Sequence, residues 1–354
     1  MARAADKRRQ LLRVATIFFA LGGHATAGER DQRAVRTAPT PQTINQIVKS
    51  PATAGGKREA KPGHHRPAER RKKARKLRDA PHTERAAVGT AKPDGVDTES
   101  IFGFTEGSDA GAKGGWTIFH DSIVRAGRNA AGFAAWDAGT GVSYSLTDRA
   151  AISLAAMTSF ERNGAGFAPA GMTDSRGTGI LPSFKYQFLR RNEAPAGFAI
   201  QVSPYWQRTD SSPIGHEMLG SEFRLILDRA LVPERWFAAL NLVYLPQHHT
   251  YGDGSVEREA TTEVSGAVSH RLWRDVFVGG EIRYLNKFHS YGLDQLAGSA
   301  LYLGPTLFAR IGDGYFGLAW SIQAAGHSNV VPRGAFDLES FERHQLRLKG
   351  GISF

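Results

Sequence analysis

The sequence predicts an all-β protein: a twelve-stranded antiparallel, up-and-down transmembrane β-barrel behind a disordered N-terminal tail. Three observations predict it. Hydrophobic residues between 101 and 354 recur with period two rather than 3.6. Aromatics and glycine gather in that stretch, whereas the basic excess gathers before it. The chain also opens with charges, a short apolar core and small residues in the order of an export signal.

Arg3, Lys7, Arg8, Arg9 and Arg13 form a positive leader, and Val14 to Leu21 is its apolar core. Ala25-Thr26-Ala27 offers an A-x-A cleavage site, so residues 1–27 read as a signal peptide and imply export. Cysteine is absent, which excludes disulfides, thiolate metal sites and cysteine nucleophiles. No apolar run reaches the ~18 residues of a transmembrane helix.

Residues 28–100 read as a disordered, basic periplasmic tail. Residues 1–100 hold 22 basic and 10 acidic side chains, and their aromatics are Phe18 and Phe19, inside the leader. Without aromatics the tail cannot bury enough apolar area to offset the entropy of ordering. Eleven basic residues lie between 57 and 78, with Arg70, Arg71, Lys72, Lys73, Arg75 and Lys76 as the densest group. Two readings stand for this run: a passive linker, or an anion-binding element that meets an anionic envelope polymer or lipid headgroups. Nucleic acid is not expected as a partner of an exported protein. The rest of the chain carries 23 basic and 24 acidic residues, which excludes a basic globular nucleic-acid binder.

Residues 101–354 read as the transmembrane barrel. In 177–190, Ile180, Pro182, Phe184, Tyr186 and Phe188 share one face, and Ser183, Lys185 and Gln187 share the other. In 217–230, Phe223, Leu225 and Leu227 oppose Glu222, Arg224 and Asp228. The expected strands are 115–127, 131–146, 150–161, 177–190, 196–209, 217–230, 235–249, 255–271, 275–288, 298–311, 315–327 and 340–354. Most exceed the 9–11 residues a tilted strand needs to cross a bilayer. Short connections alternate with mostly longer ones, the pattern of tight periplasmic turns and external loops. The first connection, near Arg128 to Ala130, is the exception. An apolar face turned outward requires lipid, and Tyr144, Phe160, Trp206, Trp236, Tyr244, Tyr284 and Trp320 suit interfacial belts.

Counting back by twos from Phe354 puts Ile352, Gly350, Leu348 and Leu346 on one face and Lys349 and Arg347 on the other. A terminal Phe354 closing an amphipathic strand resembles the assembly signal read by bacterial barrel-assembly machinery. Phe102-Gly103-Phe104-Thr105-Glu106-Gly107-Ser108-Asp109 and Phe341-Glu342-Arg343-His344-Gln345 resemble segments of an uncharacterised, porin-like outer-membrane β-barrel family of alphaproteobacteria. The resemblance covers about residues 101–354. It implies the bacterial cell outer membrane and a barrel fold, and it supplies neither catalytic residues nor a substrate.

No catalytic constellation is found: His289-Ser290 has no Asn at a suitable distance, so the protein is not expected to be an enzyme. No metal or cofactor is expected, although His216, His248, His249, His289, His327 and His344 map to the external rim. The expected inward face is ionic: Lys185, Glu222, Arg224, Glu257, Glu259, Glu263, Glu281, Arg283, Lys287, Arg343, Arg347 and Lys349 are the candidate pore-lining residues. Two readings are open for them, salt-bridged filler or a polarised constriction. The expected function is a narrow channel or transporter for small polar or anionic solutes, in a monomer surrounded by outer-membrane lipid. The alternative is an envelope anchor whose basic tail binds an anionic periplasmic polymer.

Overall fold

The computed structural model describes residues 96–128, 132–163, 173–211, 215–330 and 334–354. The signal peptide and the candidate anion-binding residues Arg70, Arg71, Lys72, Lys73, Arg75 and Lys76 lie outside the described residues.

Twelve strands close into one antiparallel barrel in which each strand pairs with its neighbours in sequence. They are β1 (Trp116–Ala126), β2 (Ala134–Thr147), β3 (Ala150–Asn163), β4 (Thr173–Leu189), β5 (Gly197–Ser211) and β6 (His216–Val232), followed by β7 (Trp236–Tyr251), β8 (Val256–Trp273), β9 (Val276–Phe288), β10 (Leu296–Ile311), β11 (Gly314–Ser328) and β12 (His344–Ser353). The expected strand count and antiparallel topology are observed. Closure leaves no unpaired edge. At the seam, Thr117–Ala126 runs against Ser353–His344, and Phe354 N–H donates to Trp116 O at 2.8 Å. Phe354 therefore sits at the closing seam, with its side chain half exposed.

Two ends can be told apart by their connections. At the turn end, β2–β3, β6–β7, β8–β9 and β10–β11 are joined by two or three residues. At the loop end, residues 329–343 form the longest connection, between β11 and β12. The first loop-end connection covers 127–133, longer than the sequence pattern suggested.

The period-two pattern explains the faces, because successive side chains on a strand point to opposite sides of the sheet. On β6, Phe223, Leu225 and Leu227 are exposed outward, while Arg224, Ile226 and Asp228 are buried inward. On β9, Ile282 and Tyr284 are exposed, while Glu281, Arg283 and Leu285 are buried. Large exposed apolar residues recur around the barrel, among them Ile118, Val142, Leu154, Ile180, Leu242 and Leu307. So wide an apolar exterior is incompatible with water as the surrounding solvent. Outward aromatics flank the apolar band. Trp116 and Tyr144 pair at 4.5 Å near the turn end, where Trp236 also lies. Trp136 and Phe160 oppose each other near the loop end.

The buried core is inside the barrel, and the N-terminal segment helps to make it. Val96, Ile101 and Phe102 are 3 %, 1 % and 2 % exposed and pack with Phe237, Ala239, Ala267, Phe277 and Phe308 of the inner wall. The boundary expected at residue 100 therefore falls inside a packed segment: residues 96–110 occupy the lumen.

Candidate functional site

Residues 96–110 form a re-entrant plug. The segment enters at the turn end, where Arg191 donates to Val96 O at 3.0 Å. Its tip reaches β9, β11 and β12: an added Cβ at Gly103 would lie 2.7 Å from both Ala319 Cβ and Glu281 Oε1. It then returns, and Ser145 near the turn end of β2 donates to Ala110 O at 2.9 Å. Doubling back needs Gly107, whose hypothetical Cβ would stand 2.2 Å from Thr98 O on the incoming limb. A side chain there would force the two limbs apart.

Apolar burial anchors the entrance. A fully buried Val, Ile or Phe side chain contributes about 1.5–3 kcal/mol, more than a typical net hydrogen bond of about 1 kcal/mol. Beside that anchor lies a clamp. Asp228 accepts from Ser108 Oγ at 2.6 Å and from Thr98 Oγ1, and it pairs with Arg191. Arg191 also pairs with Asp109 at 2.7 Å. Both carboxylates and the guanidinium are nearly fully buried, so the clamp fixes register rather than adding much net stability.

The tip is held by polar wall residues, largely through its main chain. Lys185 Nζ donates to Gly107 O at 2.8 Å, and Arg224 Nη1 donates to Phe104 O at 3.2 Å. Glu281 accepts from Phe104 N–H at 2.8 Å and Thr105 N–H at 3.2 Å. Asn241 accepts from Glu106 N–H at 2.8 Å and donates to Glu106 O at 2.9 Å. The Arg283 guanidinium lies over the Phe104 ring at 3.9 Å.

The remaining wall charges form pairs. Arg283 meets Glu263 at 2.8 Å, Lys287 meets Glu259 at 2.8 Å, Arg224 meets Glu222 at 2.9 Å, and Arg347 meets Asp121 at 2.5 Å. Eleven of the twelve candidate pore-lining residues occupy inward strand positions: Lys185, Glu222, Arg224, Glu257, Glu259, Glu263, Glu281, Arg283, Lys287, Arg347 and Lys349. The twelfth is Arg343. It precedes β12, its guanidinium covers the Phe336 ring at 3.7 Å, and it donates to Gln323 O. Its main chain continues the pairing of β12 one residue further, with Arg343 N–H donating to Gly127 O at 3.1 Å and Gln323 N–H donating to Arg343 O at 2.9 Å.

A second intrusion comes from the loop end. Phe341 packs with Leu285, Ala300 and Tyr302, and Tyr302 Oη donates to Glu342 O. Glu342 is paired with Arg125 at 3.1 Å and Arg128 at 2.7 Å. Burial alone would raise its pKa, but the two guanidinium groups outweigh that and hold it below the usual glutamate range. A line of contacts joins the two intrusions: Arg283 covers Phe104 and donates to Gln345 Oε1 at 2.7 Å, and Gln345 donates to Glu342 Oε2 at 3.2 Å.

The loop-end mouth is polar. Tyr251 Oη donates to Glu257 at 2.8 Å, and Gln247 donates to Tyr205 Oη at 2.7 Å. His216 and His249 stand ring to ring at 5.6 Å. His249 Nε2 is 3.5 Å from Glu259 Oε1, an ion-pair distance without hydrogen-bond geometry. Among the described residues no cluster of His, Asp and Glu has metal-binding geometry.

Sequence reasoning missed the plug contacts of Asn241, Gln187, Arg191 and Asp109. None stands out by residue type, because their partners are up to 135 positions away in the chain.

Solved structures show distant likeness. An outer membrane channel from Pseudomonas putida F1 has a TM-score of 0.45 and 11 % identity, covering 70 % of this chain and 98 % of that one. The translocator domain of the autotransporter NalP from Neisseria meningitidis has a TM-score of 0.45 and 10 % identity, covering 70 % of this chain and 91 % of that one. The KdgM porin in complex with disordered oligogalacturonate has a TM-score of 0.34 and 11 % identity, covering 67 % and 99 %. No curated protein matches the chain. A model of a family of unknown function matches residues 94–354, which takes in both the plug and all twelve strands, and the chain belongs to that family, DUF6662.

Proposed function

We propose that the protein is an outer-membrane channel for small polar solutes whose passage is gated by residues 96–110. Two features support a membrane setting: the closed ring without edges and the apolar exterior between aromatic belts. Lipid is then the partner of the outer face. Phe354, at the seam, is the proposed contact for barrel-assembly machinery.

The observation that carries the channel reading is the chemistry of the surface under the plug tip. Lys185, Arg224, Asn241, Glu281 and Arg347 receive residues 103–107 with charged or amide groups. A lumen meant to be permanently filled is most stable with apolar packing, whereas groups like these are readily hydrated. Where residues 103–107 leave, water replaces them at charged and amide groups; the apolar wall at Phe237, Phe277 and Phe308 is uncovered only if Ile101 and Phe102 leave as well. The wet path then runs between paired charges, the chemistry of a polar-solute passage.

Conductance in planar bilayers tests this, with full-length wild type against Phe102→Asp, which puts a charge into the apolar anchor. Folding is checked by heat-modifiable electrophoretic mobility. We expect little or no wild-type current and stepwise conductance in the variant. A folded variant that never conducts, although protease cuts within residues 96–110, would overturn the reading.

A further inference from the structure

Glu106 is the one carboxylate at the plug tip, and its surroundings are cationic. Its Oε1 lies 3.4 Å from Arg347 Nη2 and 4.0 Å from Arg224 Nη1. Lys349 is the next inward position after Arg347 on β12. Lys185 sits under the adjoining residue, its Nζ bonded to Gly107 O. All four cations are in the wall and not in the plug. Two of them already hold wall carboxylates, Arg224 with Glu222 and Arg347 with Asp121. Lys185 also lies 3.4 Å from Glu99 of the plug, and Glu281 under Phe104 and Thr105 is a third wall carboxylate, so with the plug withdrawn the wall at this level has four cations against three carboxylates.

The main chain of the same residue is fixed separately. Asn241 holds both Glu106 N–H and Glu106 O, so the residue is kept beside the two guanidinium groups by bonds that do not involve its carboxylate. The carboxylate is thus positioned as a bound ligand would be. Arg347 gives Nε and Nη2 to Asp121, and Arg224 gives Nε to Glu222 and Nη1 to Phe104 O and Asn241 Oδ1, so both act on an anion at this point as close positive charges.

We propose that Arg224, Arg347, Lys349 and Lys185 form a binding site for the carboxylate of a small organic anion, and that Glu106 is its built-in competitor. The site deepens the channel reading, since it names the solutes the passage would favour once the tip withdraws. With the plug seated, Glu106 fills the site and neutralises it. With the plug released, the site faces water and attracts anions from either mouth.

The test separates binding from conduction. Purified full-length protein in detergent is titrated with trifluoroacetate, and binding is read from 19F line broadening. Wild type should show no saturable binding. Glu106→Ala, which removes both the charge and the volume, should bind saturably, and adding Lys349→Gln should weaken that binding by about tenfold. Glu106→Gln, which keeps the volume, decides the question if the alanine variant fails to fold; it should bind more strongly than wild type. The exposed-turn variant Asp253→Asn serves as control and should behave as wild type. If no Glu106 variant binds above wild type, the anion site is refuted whatever the currents show. In bilayers, Glu106→Gln combined with Phe102→Asp should shift the reversal potential towards anion selectivity relative to Phe102→Asp alone. Binding without conductance in any variant would refute the channel and keep the site. Conductance with neither binding nor a selectivity shift would do the reverse.

Discussion

Two pieces of chain enter the barrel from opposite ends, and they are held differently. Among the described residues, the N-terminal plug, residues 96–110, is joined to a strand on one side only, at β1. The loop-end intrusion, residues 334–343, is fastened on both sides, to β11 and β12. Each has one apolar anchor: Ile101 and Phe102 in the first, Phe341 in the second. Each also has a buried acid that meets arginine, Asp109 with Arg191 and Glu342 with Arg125 and Arg128. The local chemistry is therefore similar and the tethering is not. A segment attached at one side can leave the lumen as a unit, whereas a loop attached at both sides can only loosen.

The comparison can be broken most forcefully at Phe102. Phe102→Ala should cost about 3–5 kcal/mol of plug seating, the usual range for truncating a buried Phe. Hydrogen exchange should then accelerate across residues 96–110 and leave the strand amides protected. Uniform acceleration over the whole barrel would mean that the plug is an inseparable part of the core. Asp228→Asn comes next, at about 2 kcal/mol: it removes the charge facing Arg191, but Asp109 still offers that guanidinium a partner. The same exchange measurement should show faster amides near Thr98 and Ser108 than near Phe104.

The loop sharpens the contrast through pH. The Glu342 carboxyl titrates below its unfolded value, so its contribution is complete above that value and is lost as pH falls through the folded one. Below the ordinary glutamate value of 4.5, exchange in residues 334–343 should rise. Glu342→Gln should abolish that pH dependence and cost about 1–2 kcal/mol, because Arg125 keeps Asp137 at 2.7 Å. A loop whose acid response is unchanged in the variant would assign the effect to another group. The smallest effect is expected at the mouth. Tyr251→Phe removes an exposed hydrogen bond to Glu257 and should change thermal stability by no more than about 0.5 kcal/mol.

The strands were readable in the sequence because their signal is local. Phe223, Leu225 and Leu227 alternating with Glu222, Arg224 and Asp228 state both the strand and its two faces, and the structure places them accordingly. The same parity located eleven of the inward charges within the strands, and Arg343 lies one residue before β12. The plug was not readable in this way. Residues 96–110 have no periodicity, and their partners lie on β2, β4, β6, β7, β8, β9 and β12. Two signals did point towards it. Ile101, Phe102 and Phe104 follow a long stretch without aromatics, and an inner wall bearing charges of both signs calls for something to meet them.

The plug joins β1 through residues 111–115, where Gly111 and Gly114 take φ of 77° and 80°, and nothing lies within 4 Å of a Cβ built at Gly114. Trp116 lies twelve positions after Phe104. Such a leash extends at most about 40 Å and, as a flexible coil, spans roughly 20 Å. A released tip therefore stays near its own seat at an effective concentration on the order of millimolar. Reclosure is a first-order event, independent of how many copies the membrane holds, and a free peptide copied from residues 96–110 would compete only when supplied at comparable concentration.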